Sequence, residues 1–277
     1  WDTLLMIIVK ITSAHPAQAL WHILAIVKST NADRSSRGLS VLNKLKKSKG
    51  DGSATEIRTM VTQGQKLTEQ LLHACEAAVD GRSSYASLSR DLGFNHKLAP
   101  CPLVVPIEKN LTATLPTIHD SQHVRQHKAF SGGNITIASF QDDVLVLSSL
   151  QRPRKLVVRG SDGTSYGLLC KPKDDLRKDQ RLMEFNAMIN RGLQKDVEAS
   201  KRRLYIKTYG VTPLNEECGT IEWVDNLKPM RDIIIRLYKQ RNVAIDYGRI
   251  RQLLSEAVAA PENLHIFTDA ILGIFFP

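Results

Sequence analysis

A lysine at the end of a strand-like run is followed by three aspartates in the segment Cys170–Asp179. Lys171 ends the strand-like run, and Asp174, Asp175 and Asp179 lie at the start of a helix-like run. A lysine offers a positive point charge to a polyphosphate, and a nearby carboxylate can hold its side chain in place. The segment therefore predicts half of a phosphate-binding site, and the alternative is a solvated charged turn.

Asp179 is the carboxylate that we expect to hold Lys171. It lies eight residues after the lysine, within the first turns of the helix-like run. A carboxylate at that point of a helix can fold back onto a lysine that leaves a strand.

Two further segments contain groups that suit a nucleotide. The first joins two strand-like runs, and its hydroxyls and backbone N–H groups could surround a phosphate; it consists of Val146, Leu147, Ser148, Ser149, Leu150, Gln151 and Arg152. The second is the end of an apolar strand at Glu222, Trp223 and Val224, which could form a hinge. Its backbone groups could bind an adenine and its indole could stack on one. The alternatives are a turn that satisfies itself and a tryptophan buried at the edge of a sheet.

The familiar nucleotide and metal signatures do not occur. The chain has neither a GxxxxGK[ST] loop nor a GxGxxG fingerprint. Histidines recur at His119, His123 and His127, but nearby proline and glycine predict a loop with surface histidines. The cysteines lie far apart without metal-ligand spacing, so we expect reduced thiols and no metal site: Cys75, Cys101, Cys170 and Cys218.

The composition is that of a soluble globular protein with a basic surface. The chain has 277 residues, 42% hydrophobic and 24% charged, with a net charge of +10. This charge permits contact with nucleic acid, acidic partners or anionic lipid but identifies none of them, and scattered basic residues favour a solvated surface. No apolar run is long enough to span a bilayer, so we expect no membrane contact. The start at Trp1 and the apolar end at Ile274–Pro277 suggest a piece of a longer protein.

The pattern of the chain changes twice. Residues 1–93 show helical periodicity, with a helix start at Pro16 and a further helix over about residues 55–78. Residues 94–139 contain repeated prolines and are predicted to be a connector. Residues 140–277 are predicted to contain, in order, strands, a helix from about residue 175 to 193, two more strands and a helical end. The predicted strands cover residues 144–147, 156–159, 166–171, 204–211 and 219–224. The fold class is therefore α+β, with a helical range before a small antiparallel sheet and its packed helix.

Several long motifs resemble the phosphatidylinositol-3-kinase-related protein kinases, and within them the ATR-like branch of DNA-damage checkpoint kinases in its fungal form. The resemblance extends most strongly over residues 140–245, and the helical range resembles the end of the FAT region that precedes the kinase in this family. The motifs are LQRPRK (Leu150–Lys155), GSDG (Gly160–Gly163), CKPKDDLRKDQRLMEFN (Cys170–Asn186) and TPLNEECGTIEWV (Thr212–Val224).

The resemblance implies that this chain forms the amino-lobe of a kinase after a FAT-type end. Residues 146–152 would cover the ATP phosphates, with Ser149 and Gln151 in the ATP site. Lys171 would bind the phosphates and Asp179 would be its partner. Tyr209 would lie nearby in the pocket, and Glu222, Trp223 and Val224 would form the hinge at the adenine.

The chain also departs from the family pattern. A GDRHxxN catalytic loop and a metal-binding element like DFG do not occur in residues 225–277. We therefore expect no catalytic residue, no metal ligand and no complete carboxy-lobe on this chain, although the parent protein would use ATP and Mg²⁺.

The family implies a nuclear serine/threonine kinase of DNA-damage signalling that modifies Ser or Thr followed by Gln. Its implied partners are a regulatory subunit and activator proteins in a dimer of heterodimers, protein substrates, and DNA through the partner. The alternatives are a scaffold or interaction module that does not catalyse, and a basic nucleic-acid-binding protein. A lipid kinase of the parent superfamily is a closer alternative, but the ATR-like resemblance of the helical range argues against it.

Overall fold

A computed structural model describes residues 1–47, 52–79, 83–116, 120–130, 133–244 and 246–259. The chain divides into two compact units, Trp1–Val224 and Asp225–Pro277. Among the described residues, no helix is long and apolar enough to cross a membrane.

The first unit begins with four helices, and four shorter or later ones follow. They are α1 (Asp2–Ala14), α2 (Pro16–Val27), α3 (Ala32–Lys47), α4 (Gly52–Glu76), α5 (Glu108–Leu111), α6 (Ser121–Gln126), α7 (Arg177–Lys195) and α8 (Val197–Lys201). A 3₁₀ turn spans His96–Leu98. The second unit contains α9 (Met230–Gln240) and α10 (Tyr247–Ala259), which confirms the predicted helical end.

One antiparallel sheet lies in the first unit. Its strands are β1 (Tyr85–Ser87), β2 (Cys101–Val104), β3 (Thr136–Phe140), β4 (Asp143–Val146), β5 (Arg154–Gly160), β6 (Ser165–Lys171), β7 (Val211–Pro213) and β8 (Gly219–Glu222). The main path runs β1-β4-β5-β6-β8-β7, and β3 pairs with both β2 and β5. The α+β class with an antiparallel sheet is thus confirmed.

The helical range is joined to the sheet by buried side chains. Pro16 starts α2 where its missing N–H costs no hydrogen bond. Trp21 of α2 is buried, and its indole N–H donates to the Val104 carbonyl at the end of β2, with an N···O distance of 3.0 Å. At the start of β5, the Arg154 guanidinium donates to the carbonyls of Cys75 and Ala77 at the end of α4. These bonds satisfy carbonyl groups that a helix leaves unpaired at its end.

The hairpin of β5 and β6 forms where the sequence predicts it. Leu156 pairs with Leu168, and the register continues to the turn at Gly160–Gly163. The Gly160 amide donates to Thr164, and the Gly163 amide donates back to Gly160. Gly163 has a positive φ of 78°, which a residue without a side chain adopts readily.

Three strands lie in ranges that the sequence does not predict to be part of the sheet. β1 lies at the end of the helical range, and β2 and β3 lie in the predicted connector. Pro102 makes the sequence of β2 unlike that of a central strand. Among the described strands β2 pairs with β3 alone, and an edge strand tolerates a residue without an N–H. The limits at residues 93 and 139 stay predictions, and the sheet takes strands from all three ranges.

The strand predicted at residues 204–211 is wrong for most of its length, because only Val211 belongs to a strand. The side chain of Asn190 on α7 both donates to the Ile206 carbonyl and accepts from the Ile206 amide, each at 2.7 Å. These bonds satisfy the Ile206 backbone without a neighbouring strand.

The helix α7 begins two residues later than predicted and packs less deeply. None of its residues is buried. Leu182 and Phe185, which share a face with Ile189 and Leu193, are each about half exposed. The apolar pattern therefore predicts the helix correctly, but it does not correspond to a buried face.

Candidate functional site

One face of β6 contains the predicted phosphate-binding lysine. Side chains alternate along a strand, so Gly167, Leu169 and Lys171 point to the same side. The register places Lys155 of β5 and Ile221 of β8 opposite Leu169. These residues form a continuous strip across three strands.

Trp223 lies at one end of this strip. A Cβ added at Gly167 would come within 2.6 Å of the Trp223 Cβ, so only glycine leaves room for the indole there. The Trp223 amide donates to the Gly167 carbonyl at 2.9 Å. The Lys155 ammonium lies 4.3 Å from the centroid of the indole ring, within the range of a cation–π contact.

Lys171 lies at the other end, beside the predicted phosphate loop. The start of β5 pairs Arg154 with Cys170, so residues 146–152 reach the sheet next to Lys171. Lys171 lies four positions after Gly167, a distance of about 13 Å along a strand. The adenine-side and phosphate-side groups are thus spaced on the scale of one extended nucleotide.

The loop that joins β4 to β5 is held by backbone hydrogen bonds at its base and exposed to solvent at its tip. The Leu147 amide donates to Pro153, and the Arg152 amide donates to Ser149, both at 2.9 Å. Ser148 and Ser149 are exposed, and Leu150 at the tip is 95% exposed. The loop therefore presents hydroxyl groups to solvent next to the sheet.

The partner of Lys171 differs from the prediction. The Lys171 ammonium forms an ion pair with Asp174, and the two side chains are 32% and 37% exposed. The expected pair with Asp179 does not occur among the ion pairs of the described residues. Asp179 lies in the first turn of α7. The predicted pairing of Lys171 with Asp179 is therefore wrong, and Asp174 is the partner.

A second ion pair organises the start of α7. The Arg177 guanidinium donates to both carboxylate oxygens of Asp175, at 2.8 and 2.7 Å. These hydrogen bonds from Arg177 hold the pKa of Asp175 down at about 2. Asp175 is therefore ionised at neutral pH, and both of its carboxylate oxygens accept hydrogen bonds from Arg177.

The predicted hinge is pinned through the side chain of Glu222. Its carboxylate accepts from the amides of Glu108 and Gly210, each at 2.7 Å. It therefore points toward α5, and the Glu222 amide is also occupied, since it donates to the Gly210 carbonyl at 2.7 Å. The Val224 amide makes no hydrogen bond within the part of the chain that the structure describes. An amide in this state is a suitable donor to a purine nitrogen.

Other predicted residues line separate cavities. Gln151 and Arg152 line a cavity of about 340 Å³ between the phosphate loop and the end of α4. Tyr209 lines a cavity of about 280 Å³ against Met183 and Ala187 of α7. The structure therefore places Lys171 and Trp223 on one face of β6 and brings the phosphate loop to the Lys171 end of that strand. It places Tyr209 against α7.

Sequence reasoning missed four residues of this face. Asp174 lies within the segment Cys170–Asp179, but the sequence predicts Asp179 as the partner of Lys171. Gly167 and Leu169 follow from strand alternation once Lys171 is placed. Lys155 follows from counting back through the hairpin turn, because the turn sets the register.

The described residues suit ATP better than they suit a metal. Lys171 offers a charge for phosphates, Trp223 offers a ring face, and Val224 offers an amide donor. No group of three or more His, Cys, Asp or Glu side chains among the residues that the structure describes has the geometry of a metal site.

Family comparisons match both ends of the chain. The family model described as phosphatidylinositol 3- and 4-kinase matches residues 165–264. The model described as serine/threonine-protein kinase ATR-like, HEAT repeats, matches residues 1–68. The helical range, expected to be the end of a FAT region, is thus similar to a range that this model describes as HEAT repeats.

Individual relatives are similar over most of the chain. Protein kinase rad3 of Schizosaccharomyces pombe is 42% identical over 274 residues, which are 98% of this chain and 11% of the relative. Serine/threonine-protein kinase ATR of Arabidopsis thaliana is 37% identical over 86% of this chain and 9% of the relative. Serine/threonine-protein kinase MEC1 of Eremothecium gossypii is 34% identical over 87% of this chain and 10% of the relative. The chain thus spans about a tenth of the length of the curated relatives that it matches.

Solved structures share the fold. The open conformation of CtTel1 is similar with a TM-score of 0.69 at 21% identity, over 92% of this chain and 10% of that chain. The FAT and kinase domain of CtTel1 is similar with a TM-score of 0.66 at 21% identity, over 92% of this chain and 17% of that chain. At this identity the likeness concerns the fold alone.

Proposed function

This chain belongs to the ATR-like group of the phosphatidylinositol-3-kinase-related protein kinases, and from that membership we propose that it forms the ATP-binding half of a serine/threonine protein kinase. The matched relatives bear kinase names, which confirms the family resemblance of the sequence motifs. The whole-protein activity is our inference, because the chain spans only a tenth of those relatives.

The observation that carries the proposal is the arrangement on one face of the sheet. Lys171 and the loop of residues 146–152 lie at one end, and Trp223 and Val224 lie at the other. In this arrangement the ring of Trp223 and the Val224 amide hold the adenine, and Lys171 neutralises phosphate charge. Positioning and charge neutralisation are the main contributions that a protein makes to phosphoryl transfer.

The chain's own residues bind and orient ATP in this proposal. Asp174 holds the Lys171 ammonium, and Ser149 offers a hydroxyl to the phosphates. ATP itself supplies the transferred group. The chain contains no GDRHxxN string, so no residue here is assigned as general base or as ligand of Mg²⁺.

The wider function is proposed from the family. The full-length protein would phosphorylate Ser or Thr residues followed by Gln in nuclear DNA-damage signalling. A regulatory subunit, activator proteins and a dimer of heterodimers belong to the same proposal. One similar solved structure is of a complete CtTel1 dimer with C2 symmetry, and assembly of this protein into a symmetric dimer is consistent with that precedent.

Substitution of Lys171 tests the proposal. In the full-length protein, Lys171→Met should lower kcat/KM for ATP by about 100-fold or more, because one preorganised charge is removed from the phosphates. Phosphate transfer to a Ser-Gln peptide is the measurement. Lys178→Met is the matched control, because Lys178 is an exposed lysine on α7.

The control should stay within about threefold of the wild type, as substitutions of solvated charges usually do. Wild-type turnover by the Lys171→Met protein would contradict the assignment.

A further inference from the structure

Glu216, in the turn between β7 and β8, is bound by three residues of the helical range. Its carboxylate accepts from the Ser29 hydroxyl at 2.5 Å and from the Thr30 amide at 3.0 Å. The Arg34 guanidinium lies 3.3 Å from the same carboxylate. Ser29 and Thr30 lie between α2 and α3, and Arg34 lies on α3, so Glu216 ties the sheet to the α2–α3 turn.

The turn that presents Glu216 is itself closed by hydrogen bonds. The Asn215 side chain accepts from the amides of Glu217 and Cys218 at 2.8 and 2.9 Å. The Leu214 amide donates to the Cys218 carbonyl at 3.0 Å. A carboxylate on such a turn has a fixed position relative to β8.

The same turn contacts the segment that contains Lys171. The Asp174 amide donates to the Glu217 carbonyl at 2.7 Å, and Lys171 pairs with Gly219 in the sheet register. Arg177, which binds Asp175, also lies 3.6 Å from the Glu216 carboxylate. One carboxylate therefore contacts both the helical range and the start of α7.

A cavity next to this contact limits the apolar packing of α1, α2 and α3 against α7 and β7. It has a volume of about 470 Å³ and lies between α1, α2 and α3 on one side and α7 and β7 on the other. Trp21 and Ile26 line it on the first side, and Gln180 and Pro213 line it on the second. Since apolar packing is incomplete across this space, the polar contacts of Glu216 contribute more to the relative position of the two parts.

The surroundings of Glu216 favour its ionised form. Its side chain is only 16% exposed. Burial opposes ionisation, but the hydrogen bonds from Ser29 and Thr30 outweigh it, and the pKa of Glu216 lies below its usual range. Removal of this charge would leave Arg34 without its carboxylate and Arg177 with Asp175 alone.

We propose that Glu216 is a positioning residue that holds the 171–177 segment against the α2–α3 turn and thereby sets the position of Lys171 for ATP. The inference rests on the proposed function, since the helical range would then act on the ATP site through this carboxylate as well as through the contact of Arg154 with α4. Glu216 itself touches neither the predicted phosphate loop nor the predicted hinge.

Kinetics of the full-length protein provide the first test. Glu216→Gln should raise the KM for ATP by about 5-fold to 10-fold, as expected for the loss of a partly buried charged hydrogen-bond acceptor. Glu217→Gln is the matched control, because it removes the same charge one residue later from an exposed side chain and leaves its backbone bond to Asp174 intact. The control should leave the KM unchanged.

Arg34→Gln tests the far side of the contact. It should raise the KM for ATP in the same direction as Glu216→Gln, although Arg34 lies on α3 away from every predicted ATP residue. The double variant should lose less than the sum of the two single losses, because both act on one contact.

Hydrogen exchange on the same full-length proteins separates positioning from general stability. Glu216→Gln should speed exchange in residues 171–180 and in the α2–α3 turn, and leave the β4–β5 hairpin and α4 unchanged. Faster exchange throughout the first unit, or the same change in Glu217→Gln, would overturn the proposal. An unchanged KM together with faster exchange at 171–180 would overturn it as well.

The two proposals fail in different ways. If the wild-type protein transfers no phosphate from ATP, the proposed kinase function fails. The exchange measurement needs no turnover, so an unchanged exchange rate at 171–180 in Glu216→Gln would still reject the role of Glu216 independently.

Discussion

At the scale of residues, the Lys171 ammonium is held by Asp174 from the same loop, so the pair does not depend on where α7 lies. Lys173 between them has a positive φ of 53° and turns the chain back on itself. The aspartates and the lysine were visible in the sequence, but this backbone turn was not, because Lys173 is not a residue that favours positive φ. The choice between Asp174 and Asp179 therefore needed the structure.

Substitution of the two aspartates distinguishes their roles. Asp174→Asn should raise the KM for ATP by about threefold to fivefold, because a half-exposed ion pair contributes about 1 kcal/mol or less. Asp179→Asn should change it by less than about twofold by the same reasoning. Steady-state kinetics of the full-length protein measure both KM values. A larger effect of Asp179→Asn than of Asp174→Asn would instead favour Asp179 as the partner of Lys171.

At the scale of elements, local pattern was sufficient for the central strands and insufficient at the edges of the sheet. β4, β5, β6 and β8 have apolar runs and a glycine turn, and each was predicted within a few residues. β1 has only three residues and β2 contains a proline, so neither has a period that can be recognised. The non-strand at residues 204–210 depends on Asn190, a distant side chain that no local pattern reveals.

Asp142, in the turn before β4, contacts the end of β1 through both its backbone and its side chain. Its backbone carbonyl accepts from the Leu88 amide at 2.7 Å. Asp142 accepts from the hydroxyls of Ser87 and Ser89, both at 2.6 Å, and from the Ser89 amide at 2.9 Å. His96 Nε2 lies 3.0 Å from it. The hydrogen bond from Ser87, followed by those from Ser89 and His96, lowers the pKa of Asp142 well below its usual range.

This contact should make the edge of the sheet sensitive to acid. A lowered folded-state pKa means that the contribution of Asp142 is complete above its unfolded pKa of about 3.9 and is lost as the pH falls below that value. Asp142→Asn should lower the local stability near residues 86–92 at pH 7 by about 0.5–1 kcal/mol, since the side chain is half exposed. The difference from wild type should shrink below about pH 4.

Protection factors from hydrogen exchange at neutral and acid pH measure this effect. Asp143→Asn is the matched control, because the neighbouring Asp143 is exposed on β4. A difference between Asp142→Asn and wild type that stayed constant down to pH 3 would contradict the argument.

At the scale of the whole molecule, composition gave the class of protein but not its partner. The charge of +10 allows nucleic-acid binding, although some basic side chains form local ion pairs, as Arg177 does with Asp175. The family motifs were readable because they are long and specific. The contact of Arg34 on α3 with Glu216 in the turn between β7 and β8 could not be predicted from the sequence, because the two residues lie 182 residues apart.

The 277-residue chain by itself should bind ATP weakly and duplex DNA not at all at physiological salt. In the proposed function the chain contributes half of an ATP site and no ligand of Mg²⁺, so we expect a dissociation constant in the millimolar range, about −4 kcal/mol. Titration calorimetry with ATP and a salt series with duplex DNA are the measurements. DNA binding that is measurable at about 0.15 M salt, with an affinity that falls steeply as the salt concentration rises, would favour the nucleic-acid-binding alternative.

The placement of Trp223 under the Lys155 ammonium has an optical consequence. The chain has three tryptophans; Trp21 is buried and Trp1 is half exposed. Indole emission depends on nearby charge. The Arg37 guanidinium lies 5.3 Å from the Trp1 ring, and the Lys155 ammonium lies 4.3 Å from the Trp223 ring at the predicted adenine position. A purine that displaced this ammonium would alter the emission of that one fluorophore, so the molecule contains its own label-free reporter of hinge occupancy.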